Sequence, residues 1–277
     1  MPTRPRLGQN FLHNPHAIQR VVDALGNCAG RTAVEIGPGR GAITGLLAAR
    51  CARLLAIELD SELATQLRAE LHADPAAETL TVLTQDVLQF DFAAASAAAG
   101  QPLLVVGNLP FYITSPILLR LAAAHASLEL AVLMVQREVA DRVAARPGSR
   151  DYGLLSVTAQ LYGPVELLFT LPPSAFSPPP KVHSAVLRWR FAPRFAQLAV
   201  PEKPFLAFLR LLFAQKRKTL ANNLRAAGFA AADVAAALAR TAIPLQARAE
   251  SLPVEDFAAL WHALHAEGAA PSSEAAP

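Results

Sequence analysis

Short apolar runs alternate with stretches of helical periodicity over the first two thirds of the chain. The runs are Thr32–Ile36, Leu54–Ile57, Leu80–Leu83, Leu103–Val106 and Leu130–Val135. Gly41–Arg50, Ser61–His72, Pro116–Ala124 and Arg137–Ala145 carry the helical pattern, the second of them opened by a cap at Asp60 or Ser61. Continuous apolar runs separated by helices predict βαβ units and a parallel sheet covered on both faces. The pattern changes at Val165–Leu171 and Ser184–Phe191, two strand-like runs joined by a proline-rich loop with no helix between them. Such runs are expected to pair antiparallel at a sheet edge. From Phe205 onward the periodicity is helical throughout, over Phe205–Gln215, Thr219–Ala227, Ala231–Arg240 and Val254–His265.

The expected fold is therefore α/β: a doubly wound, mostly parallel, Rossmann-like sheet of seven strands with an antiparallel edge strand, followed by a small all-α domain. Boundaries are expected at residues 1–195 and 200–267, with a small, polar tail over 268–277 expected to be disordered. The chain of 277 residues is 53% hydrophobic and 17% charged, enough for a large core and unlike a disordered chain. Cys28 and Cys51 are too few for a disulfide framework or a four-cysteine zinc site, and read as small buried hydrophobes. The histidines show no HxxxH or HxH pair, and no metal is expected. Residues 1–6 have no apolar run behind them, so no secretory leader is expected. The charge-free stretch Phe92–Leu119 is broken by Gly100, Pro102, Gly107, Pro110 and Pro116, and cannot be one spanning helix. These features give the expectation of a cytoplasmic protein away from membranes. The net charge of +3 hides an uneven layout. Phe176–Arg225 holds ten Lys or Arg against the single acid Glu202, and the remainder is net acidic. A basic belt on an acidic body suits a polyanion.

Candidate chemistry gathers where apolar runs end. Glu35-Ile36-Gly37-Pro38-Gly39-Arg40-Gly41 follows the first run and opens a helix. Its glycines tolerate positive φ and let backbone approach a ligand. Gly37-x-Gly39-x-x-Ala42 also satisfies the dinucleotide fingerprint, which by itself keeps a nicotinamide oxidoreductase open. Glu58 ends the second run, placed to accept hydrogen bonds from both hydroxyls of a ribose. Asp86, after the third run, is placed to accept an exocyclic adenine amine.

Asn108-Leu109-Pro110-Phe111 follows the fourth run. An amide, a stiffened turn and an aromatic ring suit methylation of a planar amino group. Such an amine is a weak nucleophile because its lone pair is delocalised into the ring. The Asn108 side-chain carbonyl and the backbone carbonyl of Leu109 or Pro110 can accept its two N–H bonds, favouring pyramidalisation and in-line attack on a sulfonium methyl. Phe111 would stack on the base. No metal or strong general base is needed.

With these residues assembled, the chain resembles the ribosomal RNA adenine N6-dimethyltransferases, and within them the bacterial small-subunit branch. The resemblance covers about Arg6 to Leu264. Gly8–Leu12 resembles the family's N-terminal cofactor motif, Glu35–Gly41 its glycine loop and Ile57–Asp60 its second acidic motif. Gln85-Asp86 matches the adenine-side acid, Gly107–Phe111 the catalytic motif, and Phe176–Ala185 the segment that closes over the target base. The resemblance implies S-adenosylmethionine as cofactor, with Asn10 and the Leu12 backbone at its methionine end and Gly37 beside it. Glu58 would then hold the ribose, Asp86 the adenine and Asn108 the reaction centre. It implies two adjacent adenosines near the 3′ end of 16S rRNA as target, within a small ribosomal subunit bound by a monomer. Phe111 departs from the Tyr frequent in relatives, which keeps stacking and loses a phenolic hydrogen bond. Tyr112 ranks below it as the stacking residue.

Phe176 is expected to face Phe111 and sandwich an extruded adenine, since a base inside a duplex is unreachable. Lys181, beside it, and Lys216, Arg217 and Lys218, at a helix junction, are expected to contact RNA phosphate. Within the same chemistry the rival is a large-subunit rRNA dimethyltransferase. A non-enzymatic assembly factor is the other alternative, opposed by the intact motifs.

Overall fold

The structure, a computed structural model, describes residues 9–71 and 78–266. The expectations for residues 1–6 and for the tail 268–277 lie outside the described residues. The chain divides into two units, Met1–Ala140 with Pro164–Ala192, and Asp141–Gly163 with Pro193–Pro277.

In unit 1 the elements in order are β1 (Phe11–Leu12), α1 (Pro15–Asp23), β2 (Thr32–Ile36), α2 (Thr44–Arg50), β3 (Arg53–Glu58), α3 (Ser61–Leu71), β4 (Leu80–Thr84), α4 (Phe92–Ala99), β5 (Leu103–Asn108), α5 (Thr114–Ala123) and β6 (Leu128–Gln136). Helix α6 (Arg137–Val143) runs across the division, and β7 (Val165–Leu171), β8 (Phe176–Ser177) and β9 (Ser184–Arg190) complete the unit. Seven strands form one sheet in the order β4-β3-β2-β5-β6-β9-β7. The first five are parallel, and β9 runs antiparallel to both β6 and β7, making the antiparallel edge. Strands β2, β5 and β6 are almost wholly buried, as strands covered on both faces must be. Separately, β1 and β8 form a two-stranded antiparallel ribbon, pairing Phe11 with Ser177 and Leu12 with Phe176.

Register is close enough at one place to dictate a residue. Gly107 on β5 pairs with Ile36 on β2. A Cβ added at Gly107 would stand 2.6 Å from the Ile36 carbonyl oxygen.

Helices α1 and α4 lie outside the helical stretches expected from the sequence, and both are capped. Asn14 accepts a hydrogen bond from the Ala17 amide with Pro15 at the first helical position. Asp91 accepts from Ala94, and Gly100 closes α4 in the left-handed conformation at φ +66°.

Unit 2 contains α7 (Leu154–Tyr162), α8 (Glu202–Leu212), α9 (Leu220–Ala226), α10 (Ala231–Arg240) and α11 (Val254–His265). Here the domain boundary differs from the sequence-based one, which put residues 141–163 in the first domain. Helix α7 packs on α8 and α11. The Tyr162 hydroxyl donates to Glu202 at 2.8 Å, and its ring meets the Phe195 ring edge-on at 5.2 Å between centroids. Phe205, Phe208, Leu212, Leu224, Leu238, Phe257 and Leu260 fill the core. Trp261 packs edge-on against Phe205 and Phe208. No helix among the described residues is long and apolar enough to cross a membrane.

Candidate functional site

The chain winds outward from β2 through β3 to β4, then returns to the other side of β2 to lay down β5 and β6. The reversal leaves a crevice beyond the carboxyl ends of β2 and β5, where an open α/β sheet accepts a ligand. A cleft holding about 770 Å³ of open space lies there, lined by Gln9–Leu12, Glu35, Gly37, Glu58 and Asn108–Phe111 among others. An adjoining space of about 460 Å³ shares Gln9, Gly37, Glu58 and Pro110, and adds Ile57, Asp86, Val87, Tyr112 and Ile113.

Each wall is held by backbone chemistry. Gly37 adopts φ +65° and donates its N–H to the Ile57 carbonyl at 2.9 Å. Glu58, 5% exposed, accepts from the Gly39 amide through Oε2 and from the Asp60 amide through Oε1, both at 3.0 Å. A carboxylate has about four lone-pair directions, so two remain, one on each oxygen, which suits a vicinal diol. Asp86 caps the short helical turn Val87–Gln89, accepting from Leu88 at 2.9 Å. Asn108 donates its Nδ2 to the Asn10 carbonyl at 2.9 Å. The Leu109 amide donates to Met134 at 2.9 Å. The Pro110 carbonyl accepts from the Ile113 amide at 3.2 Å and from the Thr114 hydroxyl at 3.0 Å, so both its lone pairs are used inside the protein.

Glu35 was legible only as the start of the glycine loop, and the structure gives it more weight. It lies on the cleft lining, 1% exposed, and its Oε2 has no partner among the described residues. Burial pushes its carboxyl up to about 8. The Thr44 hydroxyl, near but outside hydrogen-bond geometry, opposes that rise, and the negative Glu58 adds to it.

The structure gathers Asn10, Leu12, Gly37, Glu58, Asp86 and Asn108–Phe111 around one cleft. Phe176 is not among its lining residues. Pairing of β8 with β1 sets Phe176 opposite Leu12, and its ring is packed in the core at 3% exposure, with Ser177 outward. The structure does not place Phe176 opposite Phe111 as expected: Phe176 packs in the core beside the ribbon, while Phe111 is half-buried on the cleft lining. Tyr112 is 57% exposed, and its hydroxyl is raised above the ordinary phenol range by partial burial and by the nearby Asp86 and Glu58 charges.

The basic belt is thinner than its sequence. Arg188 pairs with Glu166 and Arg194 with Glu255, each at 2.6 Å. Lys181 in unit 1 and Lys216, Arg217 and Lys218 in unit 2 are exposed. Asn223 is 4% exposed, and its Nδ2 donates to the Leu212 carbonyl at 2.7 Å, tying α9 to the end of α8. No group of His, Cys, Asp or Glu among the described residues is arranged to hold a metal.

A mostly parallel sheet whose crevice brings together Glu58, Asp86 and the Asn108 amide beside Phe111 is the arrangement of an α/β enzyme using an adenosyl cofactor. Comparison with known proteins narrows this. The family model for ribosomal RNA adenine dimethylase matches residues 2–265. The ribosomal RNA small subunit methyltransferase A of Acidobacterium capsulatum is 58% identical over 261 residues, covering 94% of this chain and 91% of that protein. The protein of the same name from Koribacter versatilis is 47% identical over 272 residues, 94% of each chain. Among solved structures, a dimethyladenosine transferase from Plasmodium falciparum superposes with a TM-score of 0.80 at 22% identity, over 94% of this chain and 98% of that one. The 23S rRNA methyltransferase ErmE gives 0.69 at 26% identity, over 92% and 99%. The chain belongs to the ribosomal RNA adenine dimethylase family. It is an rRNA adenine dimethyltransferase whose methyl donor is S-adenosylmethionine. The cleft fits that donor: Glu58 keeps an acceptor position on each oxygen, as a ribose diol requires, and the Glu35 Oε2 on the same lining is an unpartnered polar atom.

Proposed function

We propose that this chain dimethylates the N6 amines of two adjacent adenosines near the 3′ end of 16S rRNA in the small ribosomal subunit, acting as a cytoplasmic monomer without a metal. The identity of 58% over nearly the whole chain to a small-subunit enzyme, against 26% to ErmE, supports this over the large-subunit reading. The observation that carries the mechanism is the Asn108 amide held by Asn10 at the tip of β5.

S-adenosylmethionine supplies a methyl group made electrophilic by sulfonium charge. Glu58 accepts from the ribose hydroxyls, Asp86 from the adenine amine, and Asn10, Leu12 and Gly37 border the methionine end. Asn108 Oδ1 accepts one N–H of the target amine. The second acceptor is the Leu109 carbonyl, because the Pro110 carbonyl is already engaged twice. Phe111 stacks on the extruded base and keeps its nitrogen in line. In the first transfer, holding two N–H bonds out of the ring plane localises the nitrogen lone pair where transfer needs it; in the second the one remaining N–H is held, and each transfer releases one proton from nitrogen to water. Lys181 and the Lys216–Lys218 run contact phosphate.

The test is transfer of labelled methyl to small subunits from cells lacking the enzyme. N6,N6-dimethyladenosine should appear in 16S rRNA; label confined to large-subunit rRNA would overturn the target assignment. Asn108→Ala should reduce turnover about a hundredfold or more while cofactor affinity changes little. An undiminished rate would remove the amide from the chemistry.

A further inference from the structure

The Asn108 amide has two ends, and only one orientation serves. Its Nδ2 donates to the Asn10 carbonyl at 2.9 Å. A carbonyl can only accept, so a flipped amide would set two oxygens against each other and lose this bond. The Asn10 carbonyl therefore decides that Oδ1 is the end left for the target amine. What fixes that carbonyl is the backbone of residues 9–12, and its neighbour Phe11 is held by two contacts. A Cβ added at Gly39 would stand 2.9 Å from two carbons of the Phe11 ring, so the ring occupies the space that the glycine leaves empty. The Arg40 guanidinium lies over the ring, 4.6 Å from its centre. The backbone is held at the same point by pairing of Phe11 with Ser177 and by the His13 amide donating to Ala175 at 3.0 Å.

We propose that Phe11 is a positioning residue for methyl transfer: packed against Gly39 and under Arg40, it fixes the Asn10 carbonyl and through it the orientation of the Asn108 amide. Phe11 borders the cleft, and the role assigned to it is exerted through Asn108. The inference rests on the methyl-transfer role proposed for Asn108. It also explains why the glycine loop, an element of the cofactor site, requires glycine at position 39: a side chain there would evict the ring.

Two measurements separate this inference from the reading beneath it. In cofactor-free protein labelled with ¹⁵N-asparagine, the Asn108 side-chain resonances are identified by their loss in Asn108→Asp. In Phe11→Ala they should move toward the positions of a solvent-exposed amide, and in Phe11→Tyr they should stay. On small subunits, kcat of Phe11→Ala should fall about tenfold or more, with KM for the subunit changed less than about twofold and Phe11→Tyr restoring the rate. If Phe11→Ala does not fold, Phe11→Leu takes its place, with a smaller shift in the same direction. Unmoved Asn108 resonances, or a kcat equal to that of the parent protein, overturn the inference. Resonances that move in a protein whose parent form transfers no methyl would leave Phe11 positioning Asn108 but overturn the catalytic reading of that amide, and with it the proposed role.

Discussion

Glu35 shows how one buried atom can govern the behaviour of the protein without its cofactor. Its carboxyl is raised to about 8, chiefly because burial disfavours the charged form. The unfolded chain ionises this group near its ordinary value of 4.5. Between those two values the folded state holds a proton that the unfolded state has released. Stability contributed at this position is therefore greatest below the lower value, declines as pH rises between them, and is flat above the upper one. The slope approaches about 1.4 kcal/mol per pH unit within the window. The melting temperature of cofactor-free protein should fall from pH 5 to pH 8, and Glu35→Gln should flatten that fall. A parent profile that is already flat across this range would refute the assignment. At neighbouring positions the same scale bears on the tetrapeptide: the Pro110 carbonyl accepts from Ile113 and Thr114, so the proposed mechanism assigns the second acceptor to Leu109.

At the scale of elements, the strands were legible and several helices were not. Buried parallel strands such as β2 and β5 announce themselves as unbroken apolar runs, and the ends of those runs located Glu58, Asp86 and Asn108. Helix α4 was hidden for a physical reason, whereas α1 carries an apolar stripe at Ala17, Ile18, Val21 and Val22. The alanines of α4 give no contrast between faces, so the signal was in Asp91 and Gly100, at its ends. Helix α7 is buried over most of its surface and reads as an apolar run without stripe. The ribbon of β1 and β8 was illegible because two-residue strands have no period, and Phe176 was consequently misplaced. The contact of β2 with β5 makes a sharp prediction. Gly107→Ala would push a methyl against the Ile36 carbonyl. It should cost about 3 kcal/mol and lower the melting temperature by roughly 5–10 °C. An unchanged melting curve would show that the two strands can part without penalty.

On the scale of the whole molecule, charge decides partners. Lys216, Arg217 and Lys218 are exposed between α8 and α9, and Asn223 ties that junction to the α8 terminus. Replacing all three cations with Glu should weaken binding to small subunits at low salt and reduce the slope of log affinity against log salt by about two to three. Equal affinity and equal slope would mean that the run faces solvent in the complex. The connectivity of the two units has a further consequence for how the chain becomes a protein. It enters the helical unit at Asp141, leaves at Gly163, lays down the last strands of the sheet, and re-enters at Pro193. Neither unit can then finish as the polypeptide emerges from the ribosome until sequence belonging to the other has been made. Helix α7 must wait for α8 and α11, and β6 for β9. A single protease cut after Ala192 would leave residues 193–277 held to the rest of the helical unit by packing alone, with α7 against α8 and α11.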